Sequence, residues 1–146
     1  MTAVHAGIGI AMVAVNLAAA LVGAWQWWRT GRGSLFWGLL RTGQLLTVLA
    51  AADGLILVLA GKELPELHLV YGLTPIGVSF LAEQLRLASA DTVLQARDLE
   101  DAQAMRGLPE SEQHAIVHQI IRREVAVMAA SAFVVAVLGL RAGAWL

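Results

Sequence analysis

The feature that most constrains this chain is its division into four long apolar runs, at about residues 3–28, 36–60, 67–87 and 124–144. Each run supplies about 20 predominantly apolar residues, the length needed to cross a hydrocarbon core roughly 30 Å thick. Hydrocarbon offers the backbone no hydrogen-bond partner, so each span is expected to be an α-helix. The runs also lack the period-two alternation of β-barrel strands. The sequence therefore predicts an all-α integral membrane protein, a single-domain four-helix up-down bundle over residues 1–146.

The composition agrees with a membrane protein and limits its chemistry. Hydrophobic residues make up 58% of the chain and charged residues 14%, whereas roughly a quarter of a soluble domain is charged. A net charge of −1 offers no field that would attract nucleic acid. The absence of cysteine excludes disulfides, thiolate metal sites, iron–sulfur clusters and covalent c-type haem. Any metal or cofactor must therefore be held by histidine, carboxylate or backbone groups.

The distribution of Lys and Arg predicts the orientation of the spans. On one side of the membrane only Lys62 and Arg141 lie beside the ends of the spans. The N-terminus, the 61–66 loop and the C-terminus are therefore expected on the outer side, away from the cytoplasm. The other side, expected to be cytoplasmic, has eight arginines: Arg29, Arg32, Arg41, Arg86, Arg97, Arg106, Arg122 and Arg123.

The first run is too long for a signal peptide and should be retained, and the Ala-, Gly- and Val-rich, lysine-poor composition suggests a bacterial inner membrane. Interfacial anchoring is expected for the tryptophans, Trp25, Trp27, Trp28 and Trp37 inside and Trp145 outside.

The connection at about 88–123 is the only sizeable polar segment. Its first half places Val93, Leu94, Leu99 and Met105 among alternating charges and stops at Gly107. Its second half starts at Pro109, with Glu110 and Glu112 in the following turn. Both halves carry helix signals, namely proline at a helix start and acidic residues near it. A short cytoplasmic helical hairpin leading directly into the fourth span is therefore predicted.

Polar residues within the spans indicate which faces look into the bundle. At about 100° per residue, five residues of the third span share one narrow stripe, with Tyr71 and Glu83 at its borders. The five are His68, Gly72, Pro75, Ser79 and Arg86. On the first span His5 and Asn16 lie nearly three turns apart on one line, which also holds Gly9, Met12 and Gly23. Both faces are expected to point into the bundle, because exposing their polar groups to lipid would cost free energy.

Two histidines suggest a cofactor site. In an up-down bundle the first and third helices are parallel and diagonal to each other, and both His5 and His68 lie in their first turns. Two imidazoles facing each other suit a haem held by one axial histidine from each side, as in b-type cytochromes. Lys62, Arg141 or Tyr71 would then meet the haem propionates. Room for the macrocycle would come from small residues, Gly7, Gly9, Gly72 and Gly77.

Other interpretations of the same histidines stay open. His5 and His68 also fit plain interfacial residues with their polar tips in water. A copper or zinc site built from His5, His68 and Asp53 is a further alternative, although three suitable ligands are not evident. The segment HLVYG at the start of the third span resembles small membrane cytochromes and haem-handling proteins. That resemblance covers only His68, Tyr71, Gly72 and the four-span layout.

The remaining intramembrane polar residues favour structural roles. Asp53 lies deep enough in the second span to need a hydrogen bond or a proton. An ideal helix puts Gln44 and Asp53 on opposite faces, so one of them is expected to face a partner subunit. Arg41, Glu83 and Arg86 lie near the cytoplasmic side and are expected to form an interhelical ion pair, with a proton relay as the alternative.

No catalytic motif accompanies these residues. His114 and His118 share a helix face at i and i+4, but the Glu of the His-Glu-x-x-His signature is missing, which favours a solvated face. Three classes of function remain: a b-type haem protein moving electrons near the outer face, a non-catalytic subunit of a larger membrane complex or homo-oligomer, and a small transporter component.

Overall fold

Residues 3–29 and 33–144, the part that the computed structural model describes, form four long helices and a short fifth one. The helices are α1 (Ala3–Arg29), α2 (Ser34–Leu59), α3 (Glu66–Leu87), α4 (Ser89–Gln95) and α5 (Glu110–Gly143). A short 3-10 helix, Ala104–Gly107, precedes α5. No strand occurs among the described residues. The predicted all-α fold is therefore confirmed for this part of the chain; Arg32 and Trp145 lie outside it.

Three of the four predicted spans coincide with helices that are long and apolar enough to cross a membrane. These are α1, α2 and α5. The third predicted span forms a helix, α3, over its expected length, but α3 is not one of the helices that are apolar enough to cross a membrane. Its inward stripe carries histidine, glutamate and arginine, which lowers its mean hydropathy. The three apolar helices indicate a membrane protein.

Helix packing follows the order α2, α1, α5, α3. α1 packs extensively against α2 and α5, and α5 against α3, whereas α2 has only thin contacts with α3 and α5. The main core is rich in alanine around one large aromatic ring, and it comprises Ala19, Ala20, Phe36, Leu40, Ala82, Val125, Met128, Ala129 and Ala132. Small residues let helix backbones approach closely. At Gly23 a Cβ atom would lie 2.6 Å from Phe36 Cε2, so this crossing of α1 and α2 requires glycine.

The predicted hairpin is present in part. Its second arm begins after Pro109 with Glu110 and Glu112 in the first turn, as expected, and continues without a break to the end of α5. The first arm was predicted to remain helical to Gly107, which is wrong, because α4 ends at Gln95. A separate small core, in which Val93, Leu94 and Ile116 are buried, joins the two arms.

The first arm ends early because the chain reverses at Asp98. Asp98 has φ +56°, the left-handed conformation that commonly ends a helix. The Leu99 N–H donates to the Leu94 carbonyl at 3.0 Å and the Asp98 N–H to that of Gln95 at 3.1 Å. These two bonds form a Schellman motif, and Leu99 packs on the cluster containing Leu94. These local hydrogen bonds therefore end α4, although the sequence after Asp98 still has a helical pattern.

Replacing Asp98 by glycine is expected to stabilise the hairpin by about 0.5–1 kcal/mol, since glycine has no Cβ penalty at positive φ. Asp98→Ala should have the opposite effect, because alanine gains nothing from a local side-chain hydrogen bond in this conformation. Amide hydrogen exchange over residues 89–108 measures both. Slower exchange in the alanine variant than in the glycine variant would contradict the assignment.

Candidate functional site

The contacts of four helices converge on two histidines. The His5 and His68 ring centroids lie 5.8 Å apart, with the ring planes at 57°. His5 is 8% exposed and His68 7%, so these are not rings with their tips in water. The interfacial interpretation of both histidines is therefore not supported by their burial. With Asp53, they form what we call the histidine cluster.

Each histidine is oriented by a hydrogen bond from Nδ1. His5 Nδ1 lies 3.0 Å from Asp53 Oδ2 on α2, and His68 Nδ1 lies 3.2 Å from the Ala142 carbonyl oxygen on α5. A carboxylate and a carbonyl can only accept, so both imidazoles donate from Nδ1. A neutral ring that carries its proton on Nδ1 has its lone pair on Nε2. Metal-binding histidines have this arrangement, since they donate their other ring N–H to a carboxylate or a backbone carbonyl.

The surroundings fix the two rings further. The His5 ring lies against α2 where Gly54 has no side chain, and a Cβ there would be 3.3 Å from His5 Cε1. The half-buried Tyr71 follows His68 by three residues on α3, and Arg141 precedes Ala142 on α5; we call this pair the rim of the histidine cluster. The Arg141 guanidinium lies 6.0 Å from the centre of the Tyr71 ring. Cβ atoms added at Gly7, Gly9, Gly72 or Gly77 would meet nothing within 4 Å. The predicted propionate partners Tyr71 and Arg141 thus lie together, while Lys62 is exposed.

The inward stripes of α1 and α3 agree with their predicted orientation. On α3, His68 and Pro75 are buried, and the other stripe residues, including both border residues, are half-buried. The rest of α3 exposes large apolar side chains such as Val70, Leu73 and Phe80. On α1, the buried Asn16 donates from Nδ2 to the Met12 carbonyl at 2.9 Å and, across the helix interface, to the Gly43 carbonyl at 3.3 Å.

Asp53 and Gln44 both contact neighbouring helices of the chain, and the expectation that one of them faces a partner subunit stays a prediction. Asp53 contacts His5 on α1, and Gln44 Nε2 donates to Glu83 Oε1 on α3 at 2.9 Å. Because α2 has neighbours on two sides, opposite helix faces both find partners within the chain.

A second polar cluster lies at the other end of the four long helices, beside the hairpin, and is called the glutamate cluster. Glu83 accepts from Arg41, Gln44 and Arg86, with Arg86 Nε at 2.9 Å. Arg41 Nη1 also donates to Gln44 Oε1 at 2.6 Å. The predicted contact of Arg41, Glu83 and Arg86 is therefore present. Both guanidinium groups lie 6.0 Å from the centre of the Trp37 ring.

The tryptophans near the hairpin are partly exposed and associate with arginines. Arg29 lies over Trp25 at 4.5 Å and Arg122 over Trp27 at 4.9 Å, while Trp28 is exposed. His114 and His118 are exposed on α5, and His114 Nε2 is 3.5 Å from Glu110 Oε1. These features fit solvated and interfacial roles.

The copper or zinc alternative finds no three-ligand set. Within residues 3–29 and 33–144, no group of three His, Cys, Asp or Glu side chains is arranged to hold a metal ion. Asp53, the third ligand of that alternative, instead binds the Nδ1 side of His5.

Sequence reasoning missed one contributor at the histidine cluster. The His68 acceptor is a backbone carbonyl, which leaves no side-chain signal in the sequence. The sequence predicts that Asp53 needs a hydrogen bond, but it does not predict that His5 supplies this bond. A comparison with protein-family models, curated proteins and solved structures gives no match, so any assignment rests on the geometry of this chain.

Proposed function

We propose that the chain is a four-span, up-down integral membrane protein whose histidine cluster binds a b-type haem and moves electrons near the outer membrane face. The observation that carries the proposal is the buried His5–His68 pair with both Nδ1 atoms held by acceptors. Arg141 and Tyr71 at the rim are the groups that would meet propionates.

The separation of the two rings supports a single metal between them. Histidine nitrogens bind metal ions at about 2 Å, so two buried rings that lie close together could both reach one bound metal. The observed separation is 5.8 Å. Two protein ligands alone would leave a zinc or copper ion under-coordinated, whereas a haem supplies four nitrogens of its own. The donor set therefore fits haem better than a bare ion.

Among neighbouring pairs of the four long helices, packing is least tight between α2 and α3. A flat macrocycle entering between the two imidazoles would disturb fewer helix contacts there than on the α1–α5 side. A haem held by His5 and His68 would supply one-electron redox chemistry. His5 and His68 would bind the iron, while Asp53 and the Ala142 carbonyl orient their rings.

The membrane assignment is supported by the large apolar side chains on the outside of the helices. Ile10 is 71% exposed, Leu21 65%, Ile56 62% and Phe80 64%. Water-soluble monomers rarely expose contiguous apolar surface on this scale. Lipid would cover it, with α3 held by its inward polar face against α5.

Side-specific labelling tests the topology. The chain has no cysteine, so Glu63→Cys and Glu100→Cys each introduce a unique thiol at an exposed position. In cells or sealed vesicles, an impermeant maleimide should label the Glu63→Cys variant from outside. The Glu100→Cys variant should react only after the membrane is opened. Labelling of both variants from one side would contradict four spans.

Haem titration tests the function. Purified protein in detergent should bind added haemin with one-to-one stoichiometry and give a sharp Soret band. Elemental analysis of the same preparation should find iron and neither copper nor zinc in stoichiometric amount. A protein that binds no haem and co-purifies with other membrane chains would instead favour the complex-subunit function.

Asp53→Asn tests whether the Asp53 carboxylate supports His5 as an iron ligand. Removing the carboxylate charge makes His5 a weaker electron donor, so haem affinity should fall about tenfold to a hundredfold. The reduction potential should rise, because ferric iron loses more stabilisation than ferrous iron. The haemin titration measures the affinity and a redox titration the potential. Asp91→Asn, an exposed change on α4, is the matched control, and equal affinities for the two variants would contradict the role of Asp53.

A further inference from the structure

A cavity at the end opposite the histidine cluster is unused by the proposed haem site. It has a volume of about 470 Å³ and lies among α1, α2, α3 and α5 beside the glutamate cluster. Pockets for small ligands typically measure about 300–1,000 Å³. Its walls include Gln26, Trp37, Arg41, Arg86 and Glu124. The cavity therefore combines cationic and anionic groups at the level of the tryptophans.

The arginines supply hydrogen-bond donors for an anion. Among the described residues Arg41 uses Nη1 for its bonds to Gln44 and Glu83, and Arg86 uses Nε for its bond to Glu83. A guanidinium carries five N–H donors in a planar fork that matches phosphate oxygens. Since Glu83 offers one negative charge to two arginines, the pair keeps a net positive charge facing the cavity.

The part of the cavity wall that α1 and α5 form supplies acceptors. Gln26 Nε2 donates to the Gly33 carbonyl at 3.3 Å, which fixes the orientation of the amide. Gln26 Oε1 is then buried, and within the described part of the chain it has no hydrogen-bond partner. A buried acceptor without a donor destabilises the protein, and a ligand that donates to it removes that cost. Glu124, half-buried on α5, adds a carboxylate to the same cavity, so this wall favours a ligand with N–H or O–H donors and positive charge.

We infer that the cavity binds a phosphate ester carrying a primary ammonium group, as in phosphatidylethanolamine or a soluble phosphoethanolamine. The phosphate accepts from Arg41 and Arg86, and the ammonium donates to Glu124 and Gln26 Oε1. Such a zwitterion matches both walls with no net charge added. A choline headgroup has no N–H to donate, and a glycerol headgroup has donors without the positive charge, so both should bind more weakly.

Native mass spectrometry of the purified protein in detergent tests this inference. Phosphatidylethanolamine, its N-methyl and N,N-dimethyl forms and phosphatidylcholine, all with the same acyl chains, are titrated separately. Because the ammonium has two acceptors, loss of the second and third N–H should weaken binding, and the whole series should span at least about tenfold, the loss expected for a charge-assisted hydrogen bond. Equal binding across the series, or tighter binding of phosphatidylglycerol than of phosphatidylethanolamine, would overturn the inference.

Glu124→Gln identifies the wall that binds the ammonium. This near-isosteric change should remove most of the preference for phosphatidylethanolamine over phosphatidylcholine. Glu112→Gln, at an exposed position in the first turn of α5, should preserve the preference. An unchanged preference in Glu124→Gln would overturn the inference. The methylation series in unaltered protein keeps the test valid if that variant folds poorly.

Competition with soluble sn-glycero-3-phosphoethanolamine distinguishes the two sources of the headgroup. Displacement of the lipid at millimolar concentration would support the inference with a soluble ester as ligand. Retention of the lipid, with the methylation series intact, would support it with the lipid as ligand. Haem binding does not enter any of these measurements, so their outcome is independent of the histidine cluster.

Discussion

Replacing His68 by alanine is expected to abolish the narrow low-spin bands of the dithionite-reduced haem protein, or to convert the site to a five-coordinate form. His5→Ala should do the same, because a six-coordinate iron needs both rings. The double variant should be no worse than the more severe single one, since each change removes the same site. Absorption spectra of the oxidised and reduced proteins measure all three.

The matched controls are His114→Ala and His118→Ala. Both residues are exposed on the hairpin arm of α5 and should leave the spectrum unchanged. A His5→Ala or His68→Ala variant that keeps the unaltered low-spin spectrum would contradict ligation by that residue. Loss of the spectrum in His114→Ala would point to a different site.

Replacing Phe36 by alanine is expected to destabilise the fold by roughly 3 kcal/mol, the low end of the range for a buried phenylalanine. The low end applies because lipid is as apolar as the core, so the loss comes mainly from the cavity and from packing. Phe36 is fully buried against Gly23, Ala129 and their neighbours. Reversible unfolding of the purified protein in detergent measures the change.

Phe80→Ala is the matched control, because it deletes the same atoms from a side chain that is 64% exposed on α3. Its effect should be below about 1 kcal/mol, since no internal cavity forms. Equal destabilisation by the two variants would mean that the alanine-rich cluster around Phe36 is not the centre of the packing.

Helix positions were predictable from the sequence because the apolar runs are long and bounded by polar turns. The break at Asp98 was not, since the first hairpin arm keeps a helical pattern through Met105. What ends the helix is a Schellman motif at a non-glycine residue. Aspartate occupies the left-handed region far less often than glycine does, so its presence at this position is only a weak indication of a helix end.

The inward faces of α1 and α3 were predictable because polar groups must avoid lipid. The pairing of His5 with Asp53 was harder to foresee. Counted from the helix ends, Asp53 lies six residues inside α2, and His5 only two inside α1. At 1.5 Å per residue that is a difference of about 6 Å in depth, so only the stagger of the two helices brings the side chains together.

The cavity at the hairpin end could not be anticipated from periodicity. Gln26 stands among tryptophans that were predicted to be interfacial anchors, and Glu124 begins a predicted span. The polar character of both was visible in the sequence, but their convergence on Arg41 and Arg86 depends on how α1 and α5 pack against α2 and α3. That packing is set by alanine and glycine contacts that carry no polar signal.

The electron paramagnetic resonance spectrum of the oxidised, haem-loaded protein tests the central proposal most directly, because it reports the axial ligands of ferric iron. His5 and His68 acting together should give a low-spin signal, with hyperfine coupling from two imidazole nitrogens when histidine is labelled with nitrogen-15. A high-spin signal, coupling from a single histidine, or no haem signal in protein treated with excess haemin would contradict ligation by this pair.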